Sequence, residues 1–251
     1  MAPQITIDEF NAALARYETV LETYGKTPKP GTASMKELDR FRYVLAPAQF
    51  ATGSTGKAFG LEALQKLMEW KLRSSLPGLI ASNTNETIKA ATKDAFAHYA
   101  TYKDEDSRSA EDIKKTLEKL YGPLKGVGPA TASLILAVHD PNFIYFFSDE
   151  AYAWLVNDGK KGSLKYTVSE YLKLCEQADI LADSLGVSAL KIEKVAFVLM
   201  KENDPMPLPA VPYVPTGKPR GRPKLLESEK NPKKAPSGLP RGRPRKPDNE
   251  K

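Results

Sequence analysis

A repeated capping pattern constrains this chain more than any other feature. Thr6-x-x-Glu9, Ser34-x-x-Glu37, Ser109-x-x-Asp112 and Thr167-x-x-Glu170 each set a hydroxyl three residues before a carboxylate. In that arrangement the hydroxyl accepts a first-turn N–H and the carboxylate reaches back to the cap, so donors that every helix start leaves open are satisfied. Apolar residues spaced by three and four follow each signal, the period of one helical face. Phe10, Leu14, Tyr17, Leu21 and Tyr24 form the first such stripe, and Gly25 with the Pro residues after it ends it.

The pattern continues to residue 202. A short helix from Ser34 carries Leu38, Phe41 and Leu45, and residues 46–57 are expected as a loop of small residues. Leu61, Leu64, Met68, Trp70 and Leu72 make a third stripe, broken at Pro77-Gly78. Ile88, Ala91, Ala95, Phe96 and Tyr99 make a fourth. Residues 101–108 are a polar connection. Ser109 then opens a helix through Ile113, Leu117 and Leu120, and Pro129 opens another through Leu134–Val138, where its missing N–H costs nothing. Phe143–Phe147 is β-prone but isolated, so it is expected as a buried connector. Ser148 caps a helix with Trp154 and Leu155, Gly186 ends the one begun at Thr167, and Ser188 starts the last, with Ile192, Val195, Leu199 and Met200. The expected fold is all-α, eight or nine helices in one compact domain over residues 1–204.

Several classes of function drop out. No apolar run approaches 18 residues, so no membrane partner is expected, and MAPQITIDEF carries no apolar signal region or basic leader. One cysteine, Cys175, excludes a disulfide scaffold and a cysteine-based metal cluster. Two histidines, His98 and His139, leave little for a histidine metal site, and no metal or cofactor is expected. His98 is read as a helix-face residue and His139 as a helix end.

Leu124-Lys125-Gly126-Val127-Gly128-Pro129-Ala130-Thr131-Ala132 lies between two of the expected helices, at about 110–139. Glycines allow a sharp turn and a close backbone approach. Main-chain N–H groups at Gly126 and Gly128, with the start of the next helix, form a site for a phosphate oxygen, while Val127 points inward. Lys125, Gly126, Val127, Gly128, Ala130 and Thr131 are the candidate DNA-backbone contacts. The alternative is a tight turn that only packs two helices.

On these residues, over about 110–155, the chain resembles the helix-hairpin-helix DNA glycosylase superfamily, the endonuclease III-like fold. The resemblance includes an apolar connector ending in an aspartate, here Phe146-Phe147-Ser148-Asp149, 21 residues beyond Gly128. It implies that Asp149 stabilises positive charge at C1′, or activates water, during N-glycosidic cleavage of a flipped nucleotide. Trp70, Tyr152 and Trp154 are then either walls of a base pocket or core. Where bifunctional members carry a Schiff-base lysine, two residues after the second glycine, this chain has Ala130. Residues 1–109 show no family motif for an opposite pocket wall. Asp149 also reads as a first-turn acid favoured by the helix dipole.

Charge is unevenly placed. The net charge is +6, yet residues 205–251 carry +8 and 12 of the 20 prolines, leaving −2 on the body. Such a segment is expected to be a disordered basic arm. Within it, residues 218–224 (KPRGRPK) and 240–246 (PRGRPRK) resemble the AT-hook. Arg220 and Arg222, and Arg241 and Arg243, suit the narrow, strongly negative minor groove of A·T tracts. Gly221 and Gly242 avoid its floor, and Pro223 and Pro244 keep the backbone extended.

Together these readings describe a non-enzymatic, nuclear, chromatin-associated protein. Its partner is double-stranded, A·T-rich DNA, and chromatin proteins are candidate further partners. The alternatives are a monofunctional DNA glycosylase of base-excision repair using Asp149, and a protein-interaction domain whose hairpin contacts no nucleic acid.

Overall fold

The computed structural model describes residues 4–24, 33–72, 78–103 and 109–203. The chain divides into a unit spanning 1–206 and one spanning 207–251, and every described residue belongs to the first. Both AT-hook segments lie outside the described residues.

The described residues are helical and contain no strand. In chain order they form α1 (Ile7–Ala15), α2 (Tyr17–Tyr24), α3 (Met35–Arg40), a π-helical turn (Phe41–Leu45), α4 (Ala46–Phe50), α5 (Leu61–Leu72) and α6 (Gly78–Ala81). There follow α7 (Asn85–Ala100), α8 (Ala110–Tyr121), α9 (Pro129–His139), α10 (Asp149–Leu155), α11 (Val168–Leu185) and α12 (Ala189–Glu202). No helix among them is long and apolar enough to cross a membrane.

Full capping boxes form at Thr6/Glu9, Ser34/Glu37 and Thr167/Glu170. Ser109 and Ser148 cap α8 and α10 through their side chains. Gly186 ends α11 in the left-handed region at φ 65°.

Helix α9 is the hub. Residues Ala130–Val138 are all buried, as expected of a helix that is apolar all round. It packs against α4, α5, α8 and α11. The two ends of the described chain also meet, with α1 and α2 both on α12. The Arg16 guanidinium donates two hydrogen bonds to the Glu202 carboxylate, at 2.7 and 2.9 Å.

Four expectations need correction. The described residues form twelve α-helices and a π-helical turn, not eight or nine helices. The first helix is two, because the chain tightens at Arg16, whose N–H bonds to the Ala13 carbonyl. Residues 46–57 are not all loop, since helix continues to Phe50. Its route is the π turn, in which the Ala46 N–H reaches back five residues to the Phe41 carbonyl. That wider turn lies immediately before Pro47, which cannot donate, and burial of Ala46 and Phe50 holds the continuation in place. Lastly, Phe143 is 58% exposed, so only Ile144–Phe147 of the apolar connector is buried.

The connector needs no sheet partner because side chains take up its polar groups. Ser133 Oγ accepts the Phe147 N–H at 3.0 Å, and the Tyr171 hydroxyl donates to the Tyr145 carbonyl at 3.0 Å. These bonds tie the chain just before Asp149 to α9 and α11.

Candidate nucleic-acid interface and adjoining cleft

Between α8 and α9 the chain turns over residues 122–128. Leu124 and Val127 are buried, whereas Lys125 and Gly126 are exposed. Gly126 has φ +73°, and an added Cβ would meet Leu79 Cβ at 2.9 Å, Ile80 Cγ1 at 3.0 Å and the Ile80 nitrogen at 3.2 Å. Glycine is therefore required there both by conformation and by the close passage of α6. Gly128 differs: its φ is −120° and a Cβ there would meet nothing within 4 Å. The close approach expected of both glycines is made within this chain by Gly126 alone.

Among the described residues, no carbonyl or side chain takes the N–H of Gly126, Gly128 or Ala130. Thr131 is not placed like them. Its N–H donates to the Gly128 carbonyl at 3.0 Å and its side chain is buried. The Lys125 N–H is likewise engaged, donating to Asn83 Oδ1 at 2.8 Å, and Asn83 Nδ2 donates back to the Lys125 carbonyl at 2.9 Å. Asn83, itself buried, thus acts as a two-point brace for the turn. Nothing in the local sequence marks it, because its partner is 42 residues away.

Asp149 stands at the start of α10 and is exposed. It borders a cleft of about 290 Å³. One wall comes from the first third of the chain through Tyr17, Tyr43, Trp70 and Lys71, and the other from Phe146–Glu150, Tyr166 and Phe197. Residues 1–109 thus supply the wall that no motif announced. Of the three aromatic residues singled out above, Trp70 lines the cleft, while Tyr152 and Trp154 are core.

The Tyr166 hydroxyl donates a short hydrogen bond to Asp149 Oδ1. Its ring lies 5.6 Å from that of Phe147, and its backbone is in the left-handed region at φ 55°, costly for a side chain this large. Burial, and then the neighbouring carboxylate, push the Tyr166 phenol well above its ordinary range. A second hollow of about 260 Å³ adjoins, lined by Ala153, Lys161, Leu164 and Met200 and sharing Asp149 and Tyr166 with the first.

Lys71, on α5, connects cleft and turn. Its Nζ donates to Thr131 Oγ1 at 3.1 Å and lies 5.8 Å from the centroid of the Phe146 ring. Burial pushes the amine down to about 8, against the opposing pull of the Asp149 charge.

Beneath the cleft lies a buried polar cluster. Arg42, 1% exposed, donates from Nη2 to Glu193 Oε2 at 3.1 Å, and the Tyr43 hydroxyl donates to Glu193 Oε1 at 2.7 Å. The Arg42 guanidinium carbon sits 5.0 Å from the Tyr43 ring centroid and 5.7 Å from that of Trp70. Asp39 accepts from the Tyr17 hydroxyl and from Trp70 Nε1, at 2.6 and 3.2 Å. Three rings of the cleft wall, those of Tyr17, Tyr43 and Trp70, are therefore fixed from below.

The histidines take no part in the cleft. His139 Nδ1 is 2.8 Å from the Phe50 carbonyl, its ring stacks on Phe96 at 3.8 Å, and burial holds it below the ordinary imidazole range. Asp140 accepts from the Tyr99 hydroxyl. His98 Nδ1 pairs with Thr116 Oγ1 at 2.8 Å. Among the described residues, no group of three or more His, Cys, Asp or Glu could hold a metal ion.

Compared with models of known families, with curated proteins and with solved structures, this chain has no match.

Proposed function

We propose that this chain is a nuclear, chromatin-associated DNA-binding protein. The turn between α8 and α9, read as a helix-hairpin-helix element, grips the sugar–phosphate backbone, and the two AT-hooks occupy A·T-rich minor grooves. Gly128 is the observation that carries the reading. Its surroundings leave room for a side chain, so the fold itself does not require glycine there. A phosphate seated on the N–H groups of Gly126, Gly128 and Ala130 does require that space.

The test is Gly128→Asp. Aspartate is a favourable N-cap, so stability should be unchanged or raised. Its carboxylate would occupy and repel the phosphate, and affinity for a G·C-rich duplex, on which the hooks contribute little, should fall about tenfold or more. Unchanged affinity with an unchanged salt dependence would refute backbone contact at this turn. Gly126→Ala should instead destabilise the protein by roughly 1 kcal/mol or more, because φ is positive and α6 is in the way.

A second reading is favoured by one observation. Asp149 is open to an aromatic-walled cleft and not covered by packed side chains. That supports a monofunctional DNA N-glycosylase in which the flipped base enters the cleft and the carboxylate stabilises charge at C1′. Duplexes containing uracil, alkylated or oxidised bases provide the assay. Release from at least one of them, slowed about 10²-fold or more by Asp149→Asn, is the expected result. No release from any of them, or undiminished release by the variant, overturns it.

A further inference from the structure

A hollow of about 500 Å³ at the starts of α5 and α7 is used by neither reading. Three lysines line it. Lys57 donates to Gln49 Oε1 at 2.8 Å, a neutral partner that leaves its charge whole. Lys66 donates to Glu62 Oε1 at 2.8 Å and lies 5.2 Å from the Phe41 ring centroid. Lys89 is exposed and has no ion pair or hydrogen bond among the described residues. Glu62 is the one acid of the lining among the described residues, so the hollow carries +2 although the body as a whole carries −2.

The lysines are gathered by the fold. Asn85 Oδ1 accepts the Leu61 N–H at 3.0 Å and ties the first turn of α5 to that of α7. A Cβ on Gly60 would come within 2.4 Å of that oxygen and 3.5 Å of Lys89 Cε. Glycine at 60 is therefore what lets the two helix starts close on each other and set the three amines around one space. Lys93, exposed and four residues beyond Lys89, extends the row along the same face of α7. Glu86, also exposed in the first turn of α7, opposes it but does not line the hollow. The rings of Phe41 and Phe50 in the lining are buried, so neither offers a face to a stacked base. Separate ammonium groups without a stacking platform suit successive phosphates and read no sequence.

The hollow adjoins the glycine turn. Asn83 braces the Lys125 backbone there, Thr84 caps α7 and Asn85 borders the hollow. Asn83 and Asn85 are at most ~7 Å apart along the chain, the rise of about two nucleotides of a strand at ~3.4 Å each. We infer that this hollow is a second seat for the DNA backbone, holding phosphates of the strand that the turn grips. The inference rests on the DNA-binding reading of the preceding section and assigns the body its cationic contact, which the net charge conceals.

The test uses the full-length chain and a G·C-rich duplex, with fluorescence anisotropy at several salt concentrations. Lys57→Gln combined with Lys89→Gln should weaken binding about tenfold or more, and the plot of log affinity against log salt should become shallower by about 1.8, near 0.9 for each lost contact. Thermal stability should be unchanged, since both side chains are exposed and neither is in an ion pair. Lys57→Arg with Lys89→Arg retains the charge and should bind within threefold of wild type. Lys173→Gln with Lys191→Gln removes the same charge from α11 and α12, outside the hollow, and should also bind within threefold. Unchanged affinity and slope in the hollow variant overturn the proposal, and if Gly128→Asp still weakens binding, the turn reading survives without it. An equal loss in the α11 and α12 variant also overturns it, because the effect is then one of bulk charge. Loss in the hollow variant with none in Gly128→Asp supports the seat and refutes contact at the turn. A wild-type chain that ignores the duplex at low ionic strength removes both.

Discussion

Replacing Arg220, Arg222, Arg241 and Arg243 together by alanine is expected to weaken binding to an A·T-rich duplex by about 10²- to 10⁴-fold. That is the range in which a second tethered contact multiplies the first through effective concentration. Replacing only Arg220 and Arg222 should give most of the tethering loss, because one remaining hook no longer benefits from the other. The plot of log affinity against log salt should also become shallower by about 3–4 for the fourfold variant, near 0.9 for each lost phosphate neutralisation. Fluorescence anisotropy at several salt concentrations measures both quantities. The body carries −2, so little long-range attraction remains once these cations are gone. If a chain lacking 205–251 binds as tightly and with the same slope, the hooks are not the grip.

The second large effect concerns the fold. Glu193→Ala should cost about 3–5 kcal/mol, the usual result of removing one member of a buried ion pair and leaving the other charged. Arg42 is 1% exposed and Glu193 7%, so neither charge can recover its solvation where it stands. The Tyr43 hydroxyl would lose its acceptor at the same time. Urea denaturation followed by circular dichroism reads the change directly. Arg42→Met combined with Glu193→Leu should regain most of the loss, since apolar replacement of the whole pair avoids burying an unmatched charge. A cost below about 1 kcal/mol for the single variant would mean that water reaches Arg42.

Local physics was legible in the sequence and long-range physics was not. Caps at Thr6, Ser34, Ser109, Ser148 and Thr167 depend on neighbours three residues away, and the left-handed stop at Gly186 on the chain's own dihedral preference. All six lie where the pattern puts them. The turn at 122–128 was legible for the same reason. The π turn was not, because its cause is the match between Pro47 and the burial of Ala46 and Phe50, which only the packed core determines. Asn83 looks like an ordinary loop residue until Lys125 is brought beside it. Arg42 and Glu193 are 151 positions apart and read singly as surface charges on amphipathic helices. Lys71 follows Trp70 in a sequence where every third or fourth residue is charged, and its burial follows from the convergence of α5, α9 and residues 146–150. For the cleft, sequence supplied Asp149 and Trp70, and tertiary structure supplied Lys71, Tyr43 and Tyr166.

The closure of α1 and α2 on α12 has a consequence for how the protein is made. The Arg16–Glu202 pair spans 186 positions, and α1 and α2 both pack against α12, so their cover is complete only when the last helix exists. At a ribosomal rate of about 5–20 residues per second, the first helices wait roughly 10–40 s for it. Throughout that interval part of the apolar stripe of α1 and α2 stays uncovered in the nascent chain, a natural landing place for chaperones. Slowing translation ahead of residue 189 should therefore lower the yield of native protein more than slowing it afterwards.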